Sequence, residues 1–452
     1  MGAAVYHQLL LPDLKQMLAE DDKAGLAEFC NALYPPVAAE VLEGLPAEDV
    51  WRVLENCSLS RQVEIFEFLS LAEQVELVDK LDRKRLSRLV EEMSPDDRVD
   101  LLSRLGPERV ENLLPLIAQA ERSDIRKLLS FPEQSAGAIM TTEYASLPAD
   151  ITVRDALDRL RKQAPDRETI YYIFILGEDR RLDGMISLRD LILAKPDAKL
   201  ADLMRRDVIS VRVDDDQEHV AQELARYDFL AIPVVDSQNR LVGIVTHDDV
   251  LDIVQEEADE DAYRLGAVEP LEDSYLETPL LTIVWKRGMW LVLLLFAALG
   301  TSAVLSRYEE VSQKNAWLIW FVPLVIACGG NAGSQSATLL IRALALRESV
   351  GSLRVVGREL AAGFSLGLFL GGLGFLLALL YVPRGHAMII GTTVMLVVVM
   401  GAVTGAMLPI LFKRLGMDPA LMSNPLIASL SDILGLLIYY NVAVLVLRLL
   451  AA

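Results

Sequence analysis

From Lys286 to the end of the chain, five apolar stretches follow one another, near residues 288–306, 316–342, 359–382, 387–412 and 423–448. Each approaches the roughly 20 residues that a helix needs to cross the hydrocarbon core of a bilayer. In lipid, every backbone N–H and C=O must find its partner within the protein, which leaves α-helices for stretches of this length. The chain therefore reads as an integral membrane protein with the lipid bilayer as its partner. Basic residues orient it. Lys286 and Arg287 precede the first span; Arg342, Arg347, Arg354 and Arg358 separate the second from the third; Lys413 and Arg414 separate the fourth from the fifth. The opposite side holds Arg307, Lys314 and Arg384, with Arg448 near the end. That bias predicts a cytoplasmic N-terminus and an outside C-terminus in the plasma (inner) membrane.

The charge is split as sharply as the hydropathy. Of 452 residues with a formal net charge of -21, those from Lys286 onward hold 12 Lys/Arg and 6 Asp/Glu, and those before it hold 31 and 58. An acidic soluble part argues against nucleic acid and points to cations as partners. Cys30, Cys57 and Cys328 form no CxxC pair and are too few for a disulfide framework. His7, His219, His247 and His386 are scattered, so no zinc site is expected. The opening residues meet Pro12 and Asp13 too early for a signal peptide, which keeps the acidic part in the cytoplasm.

Residues 1–130 read as helices alone, with breaks such as Leu45-Pro46-Ala47-Glu48, Ser94-Pro95-Asp96 and Gly106-Pro107-Glu108 that suit helix starts. Their close recurrence predicts a superhelical, all-α N domain. Residues 131–258 then alternate strands and helices in two copies, about 131–199 and 200–258. The first copy carries Tyr171-Tyr172-Ile173-Phe174-Ile175-Leu176 and then Gly184-Met185-Ile186-Ser187-Leu188-Arg189-Asp190. The second carries Ala231-Ile232-Pro233-Val234-Val235-Asp236 and then Gly243-Ile244-Val245-Thr246-His247-Asp248-Asp249. Each is preceded by a Met segment, Ile139-Met140-Thr141 or Leu203-Met204-Arg205. The repeated Gly-x-x-Ser/Thr-x-x-Asp resembles a tandem pair of CBS domains, an α/β fold that commonly holds adenine nucleotides such as ATP between its copies. By that resemblance Tyr172, Ser187, Arg189, Asp190, Phe229 and Thr246 are the candidate nucleotide contacts; equally, Ser187 and Thr246 suit helix caps. Residues 259–286 read as a connecting region. The acidic run Glu256-Glu257-Ala258-Asp259-Glu260-Asp261 leads into it, and Leu280–Arg287 at its far end is expected as an amphipathic helix on the membrane face. The remainder, 287–452, is the five-helix transmembrane domain.

Polar groups within the spans carry the functional information, because an ionisable side chain there is costly. Asp432 lies eight residues after Asn424 with Ala428 between, so the three share one helical stripe, near Ser431 and Gly435. The second span contains Ala327-Cys328-Gly329-Gly330-Asn331-Ala332-Gly333-Ser334-Gln335-Ser336, expected as irregular backbone lining a wet cavity. One carboxylate per chain, with amides and carbonyls and no His or Cys ligand, suits Mg²⁺, which keeps much of its water. Two copies of Asp432 facing each other would supply two carboxylates.

The whole multidomain chain resembles the MgtE family of magnesium channels, most specifically at Pro323 through Thr338 and at Asp418-Pro419-Ala420-Leu421-Met422-Ser423-Asn424-Pro425-Leu426 through Asp432. The resemblance implies a homodimer with one ion pathway, Asp432 as its ligand, and Ala428, Asn424, Gly329 and Asn331 beside it. It also implies closure by cytoplasmic Mg²⁺ bound to Glu64, Asp96 and Asp100 of the N domain. Asp216, Glu218, Asp228, Asp249 and Asp252 of the second CBS copy, and Glu257, Glu260 and Asp261 of the connecting region, complete that set. His247 and Gln255 depart from a fully acidic pattern. The competing readings are a carrier of Co²⁺ or Mn²⁺ and a non-conducting, membrane-anchored sensor. An enzyme is not expected, since no nucleophile–base pair or phosphate-binding Gly loop stands outside the spans.

Overall fold

The computed structural model describes residues 3–271, 275–276, 278–345, 352–415, 417–418 and 424–451. It divides into two compact units, 1–255 and 256–452.

In the first unit, short helices run from Ala3–Glu20 to Gln119–Leu128. Their starts are chemically marked: Asp22, Ser58, Ser70 and Asp82 accept hydrogen bonds from backbone N–H groups of the turns they open. Pro95 and Pro107 open theirs, as the breaks in the sequence predict. Along much of the series a helix packs on the one two places further on, so two layers build up as in a solenoid. Leu26, Cys30, Val53, Leu54, Ile65, Phe66, Leu89 and Leu101 fill the space between the layers. The indole N–H of Trp51 ties the series together by donating to the Leu77 carbonyl at 2.9 Å.

Two three-stranded sheets follow, with the same topology. In the first, β1 (Tyr144–Leu147) lies parallel to β2 (Thr169–Leu176), which pairs antiparallel with β3 (Leu182–Ser187). In the second, β4 (Val211–Arg212), β5 (Ala231–Val235) and β6 (Leu241–Thr246) repeat the order. The two Met segments cross between copies: Thr141 bridges Ile244, and Arg205 bridges Met185. That crossing accounts for the glycine of the repeated motif. A Cβ on Gly184 would stand 2.7 Å from the Met204 sulfur, and one on Gly243 would stand 2.6 Å from that of Met140. No side chain larger than hydrogen fits beside the crossing segment.

Among the described residues, the second unit holds five helices long and apolar enough to cross a membrane: TM1 (Leu280–Arg307), TM2 (Trp317–Ala345), TM3 (Ser352–Ala378), TM4 (Arg384–Arg414) and TM5 (Asn424–Ala451). TM2 packs on TM4 and TM5, TM3 on TM4, and TM1 on TM5. Three sequence expectations are corrected here. Leu280–Arg287 is no separate surface helix; it forms the first two turns of TM1, because nothing in that segment breaks the helix. TM3 begins at Ser352, so Arg354 and Arg358 lie in its first turns. The Gly-rich stretch 327–336 is continuous helix. Its glycines serve close approach instead: a Cβ on Gly401 of TM4 would lie 2.5 Å from the Gly329 carbonyl oxygen. A Cβ on Gly405 would clash with the Gly333 carbonyl at 2.1 Å. Small residues let two membrane helices meet backbone to backbone, which compensates for their poor helix propensity. The acidic run also sits in one helix, His247–Leu265, which extends from β6 through Asp261. Arg347 and residues 419–423 lie outside the described residues.

Candidate ion pathway and acidic sites

TM5 starts at Asn424 with Pro425 in its first turn, where the missing N–H costs nothing. Asn424, Ala428 and Asp432 are then four residues apart on one helical stripe. Opposite them TM2 offers a matching stripe, Gly330, Ser334 and Thr338. A Cβ on Gly330 would stand 3.4 Å from Ala428 Cβ and 3.8 Å from Asp432 Oδ1. Ser334 Oγ donates to the Asn424 carbonyl oxygen at 3.4 Å, and Thr338 Oγ1 donates to Asn424 Oδ1 at the same distance. Three residues expected at the pathway (Asn424, Ala428 and Asp432) therefore line one seam. Gly329 does not join them, since its Cβ position points at Val397 of TM4, 2.7 Å away. Asn331 is exposed on another face of TM2. Ser431, fully buried, turns to Gly333: a Cβ there would stand 3.1 Å from Ser431 Oγ. Gly330, Ser334 and Thr338 escaped the sequence reading; their four-residue spacing, matching that of Asn424, Ala428 and Asp432, was the available signal.

At the other end of the TM bundle, aromatic and polar side chains close the packing. The Tyr308 and Tyr440 rings stack at 4.9 Å, Ser312 Oγ donates to Tyr440 Oη at 3.0 Å, and Tyr439 Oη donates to the Leu318 carbonyl at 2.9 Å.

Within the first unit, carboxylates of the N domain stand close enough to those of the CBS pair to repel them. Ser94 donates from its backbone N–H to Glu67 at 3.0 Å and from its hydroxyl to Asp97 at 2.8 Å. Burial, then repulsion from Asp97, Asp96 and Glu168, pushes the Glu67 carboxyl up to about 8. Burial, with Asp97 and Glu168 next, pushes Asp96 to about 7, and its Oδ1 is buried with no hydrogen-bond partner. Burial also raises Asp97 to about 6, with Asp100, Asp249 and Asp252 adding to it, and Asp249 to about 6, with Asp96 and Asp248 adding to it. The structure thus brings together Asp96, Asp100, Asp249 and Asp252 of the expected set. It adds Glu67, Asp97, Glu168 and Asp248, which nothing in their local sequence singled out.

Other expected acids have local roles. Glu64 is paired with Arg61 at 2.7 Å. Asp216 caps its helix by accepting from Glu218 N at 2.9 Å, and Gln222 donates to the Glu218 carboxylate at 2.7 Å. Asp228 ends that helix in the left-handed region with φ 52°. Glu257 and Asp261 are part-exposed on the His247–Leu265 helix, and Glu260 is ion-paired with Arg264 there. Among the described residues no group of three or more His, Cys, Asp or Glu side chains is close enough to hold a bare metal ion. The unpartnered Asp96 oxygen and the shared repulsion are what a hydrated cation would relieve.

In the CBS pair, Tyr172 and Phe229 face each other edge to face at 6.2 Å, and Tyr227 stacks on Phe229 at 5.5 Å. Tyr172 lies opposite Ser187 in the β2–β3 ladder. Ser187 Oγ accepts from Asp190 N at 3.0 Å and so caps its helix, whereas the Thr246 hydroxyl bonds the Asp249 carboxylate. Arg189 and Asp190 are exposed beside the cap.

Comparison with known proteins agrees with this architecture. The divalent cation transporter domain model, MgtE, matches residues 322–442; the MgtE intracellular N domain matches 33–134; and the CBS domain matches 136–197 and 200–256. The magnesium transporter MgtE of Thermus thermophilus is 44% identical over 343 residues, covering 75% of this chain and 76% of that protein. The one from Enterococcus faecalis is 39% identical over 335 residues, covering 73% and 72%. Among solved structures, the soluble part of a magnesium transporter is 35% identical with a TM-score of 0.53, covering 56% of this chain and 99% of its own. The cytosolic domain of the Mg²⁺ channel MgtE in complex with ATP is 39% identical with a TM-score of 0.52, covering 54% and 100%. With N domain, CBS pair and membrane domain each matched in order, this chain belongs to the MgtE family of magnesium transporters.

Proposed function

We propose that this protein is a homodimeric Mg²⁺ channel of the cell membrane, with its N-terminus in the cytoplasm and its C-terminus outside, closed by cytoplasmic Mg²⁺. The observation that carries the pore is the seam where the bare backbone of Gly330 faces Ala428 and Asp432. A carboxylate next to a glycine has room for water, and Mg²⁺ gives up its water reluctantly. One chain supplies one such carboxylate; a second copy across a two-fold axis doubles it and completes an outer-shell site for a hydrated ion. Ser334, Thr338 and Asn424 extend the same stripe with oxygens that can bond to the hydration shell.

The crowded carboxylates of the first unit supply the feedback. At cytoplasmic pH, Asp96, Asp97, Asp100, Asp249 and their neighbours repel one another, and divalent cations bind the arrangement that keeps them together. Glu64, Asp216, Glu218, Asp228 and Asp252 are further candidate ligands in that unit, and Glu257, Glu260 and Asp261 are candidates in the second. A cation that binds the closed arrangement more tightly shifts the population toward it. ATP is the proposed nucleotide of the CBS pair, with Tyr172 and Phe229 stacking on its base, and Ser187, Arg189, Asp190 and Thr246 near its ribose and phosphates. The solved relative with ATP supports this choice.

The test is Mg²⁺ uptake into proteoliposomes at low and high magnesium on the cytoplasmic face. Uptake that falls as cytoplasmic magnesium rises supports both pore and feedback. Uptake indifferent to that magnesium removes the feedback, and an absence of uptake at both levels returns the chain to a non-conducting sensor.

A further inference from the structure

Before Lys286 acidic residues outnumber basic ones, 58 to 31, yet three cations of the first unit gather around one cavity. Its volume is about 420 Å³, and it lies where the last helix of the N domain, Gln119–Leu128, meets the β2–β3 and β5–β6 turns of the CBS pair. Lys127 comes from that helix, Arg180 from the first turn and Arg240 from the second. Phe131 forms one wall, and Val213 and Val242 add apolar surface.

The lining groups are held in place. The two turns are tied together: Leu182 N donates to the Asn239 carbonyl at 3.0 Å, and Arg181 bridges Arg240. Asp179 and Arg180 both take left-handed backbone, with φ 56° and 63°, which is uncommon for residues that carry a side chain. The Arg180 guanidinium lies 5.9 Å from the centre of the Tyr144 ring and bonds the Tyr144 hydroxyl, which donates in turn to the Leu241 carbonyl at 3.2 Å. Arg240 Nε donates to Asp236 Oδ2 at 2.7 Å, and Asp236 Oδ1 accepts the N–H groups of Gln238 and Arg240 at 2.9 Å. Phe131 is seated against Gly137, where a Cβ would stand 2.5 Å from its ring. Partial burial and then the Arg180 charge pull the Lys127 ammonium below its ordinary range; Arg240 adds to this, and Asp124 and Asp236 offset only part of it.

We propose that this cavity binds an organic phosphate, a phosphate monoester whose flat or apolar group lies against Phe131. Two guanidiniums and an ammonium converge on one volume. Guanidinium forks match phosphate oxygens, and a doubly charged anion between the three cations would relieve their mutual repulsion. Asp236 opposes it little, since both of its oxygens are already engaged. Asp179, exposed on the first turn, also lines the cavity and does oppose an anion. Lys127, Arg180 and Arg240 are exposed, so a solute reaches them without a rearrangement. Bound there, the anion would tie the N domain to the turns of both CBS copies. The cavity is distinct from the proposed nucleotide site, because Tyr172 and Ser187 pair at the end of the β2–β3 ladder away from the turn.

The test is calorimetric titration of phenyl phosphate into the full chain in detergent, in excess Mg²⁺ and at fixed ionic strength. Wild type should bind it saturably, one molecule per chain. Lys127→Ala should weaken binding about tenfold by removing one charge-assisted contact. Asp179→Asn should tighten it severalfold, an opposite shift that damage to the fold would not produce. Benzoate, with the same ring and one negative charge, should bind at least about tenfold more weakly than phenyl phosphate. Phe229→Ala, which disables the proposed nucleotide site, should leave the phenyl phosphate affinity where it was. No saturable binding up to about 10 mM would overturn the proposal. So would equal affinity for benzoate, loss of binding in Phe229→Ala, or an affinity that neither Lys127→Ala nor Asp179→Asn moves.

Discussion

Arg264 is ion-paired to Glu260 on its own helix and to Asp418 beyond the end of TM4. Arg264 stands in the last turn of the helix that ends at Leu265, and Asp418 lies between TM4 and TM5. Arg264 and Asp418 are each about one-third exposed, 30% and 33%, so water screens the pair. A double-mutant cycle with Arg264→Ala and Asp418→Ala should give a coupling of about 0.5–1 kcal/mol in thermal stability. Charge reversal at both positions should recover most of what either reversal alone loses. Additive losses would mean that the two side chains do not act together.

The TM2–TM4 contact tolerates no side chain at its centre. Gly405→Ala places a methyl into the Gly333 carbonyl and should cost about 1–3 kcal/mol, as overpacking does. Gly372→Ala, whose Cβ would meet nothing within 4 Å, is the matched control and should be neutral or slightly stabilising. Thermal unfolding of the two variants in detergent compares them directly.

Stability of the soluble unit should fall as pH rises. Glu67 and Asp96 keep their protons up to about 8 and about 7 when folded, above the ordinary carboxylate range. Their contribution is therefore complete at acid pH, below the unfolded values, and is lost as pH rises through those folded values. Limited proteolysis of the full chain in chelator should accelerate from about pH 6 to about pH 9, and added Mg²⁺ should reverse most of that change. Equal digestion at both pH values would show that the repulsion is not stored in the fold.

Phe229→Ala should weaken ATP binding about tenfold, since it removes the ring that stands between Tyr172 and Tyr227. Lys23→Ala, in the N domain far along the sequence, should leave it unchanged. Calorimetric titration with ATP distinguishes the two.

Much of this architecture was legible in the sequence because it rests on periodicity. Five apolar runs became five helices, and the repeated strand–turn–strand pattern became two sheets of identical topology. The stripe Asn424, Ala428, Asp432 followed from helical spacing alone. What the sequence concealed were contacts between helices. Gly329 and Gly333 read as helix breakers, because propensity speaks only of an isolated helix; their true partners, Gly401 and Gly405, lie some 70 residues away. For the same reason Gly330 was passed over and Gly329 preferred, although a rotation of one residue decides which of them meets Asp432. Glu67 joined the acid cluster through Ser94, a hydrogen bond across 27 residues that no local pattern announces.

The central claim is that Asp432, beside the open backbone of Gly330, binds the permeating ion. Asp432→Asn keeps the shape and removes the charge, so Mg²⁺ uptake by proteoliposomes bearing that variant, at low cytoplasmic magnesium, is the direct measurement. Loss of a charge-assisted contact worth about 1.5–3 kcal/mol predicts a rate reduced by about tenfold or more, in protein that still purifies as wild type does. Uptake at the wild-type rate would contradict the assignment and move the pathway away from the TM2–TM5 seam.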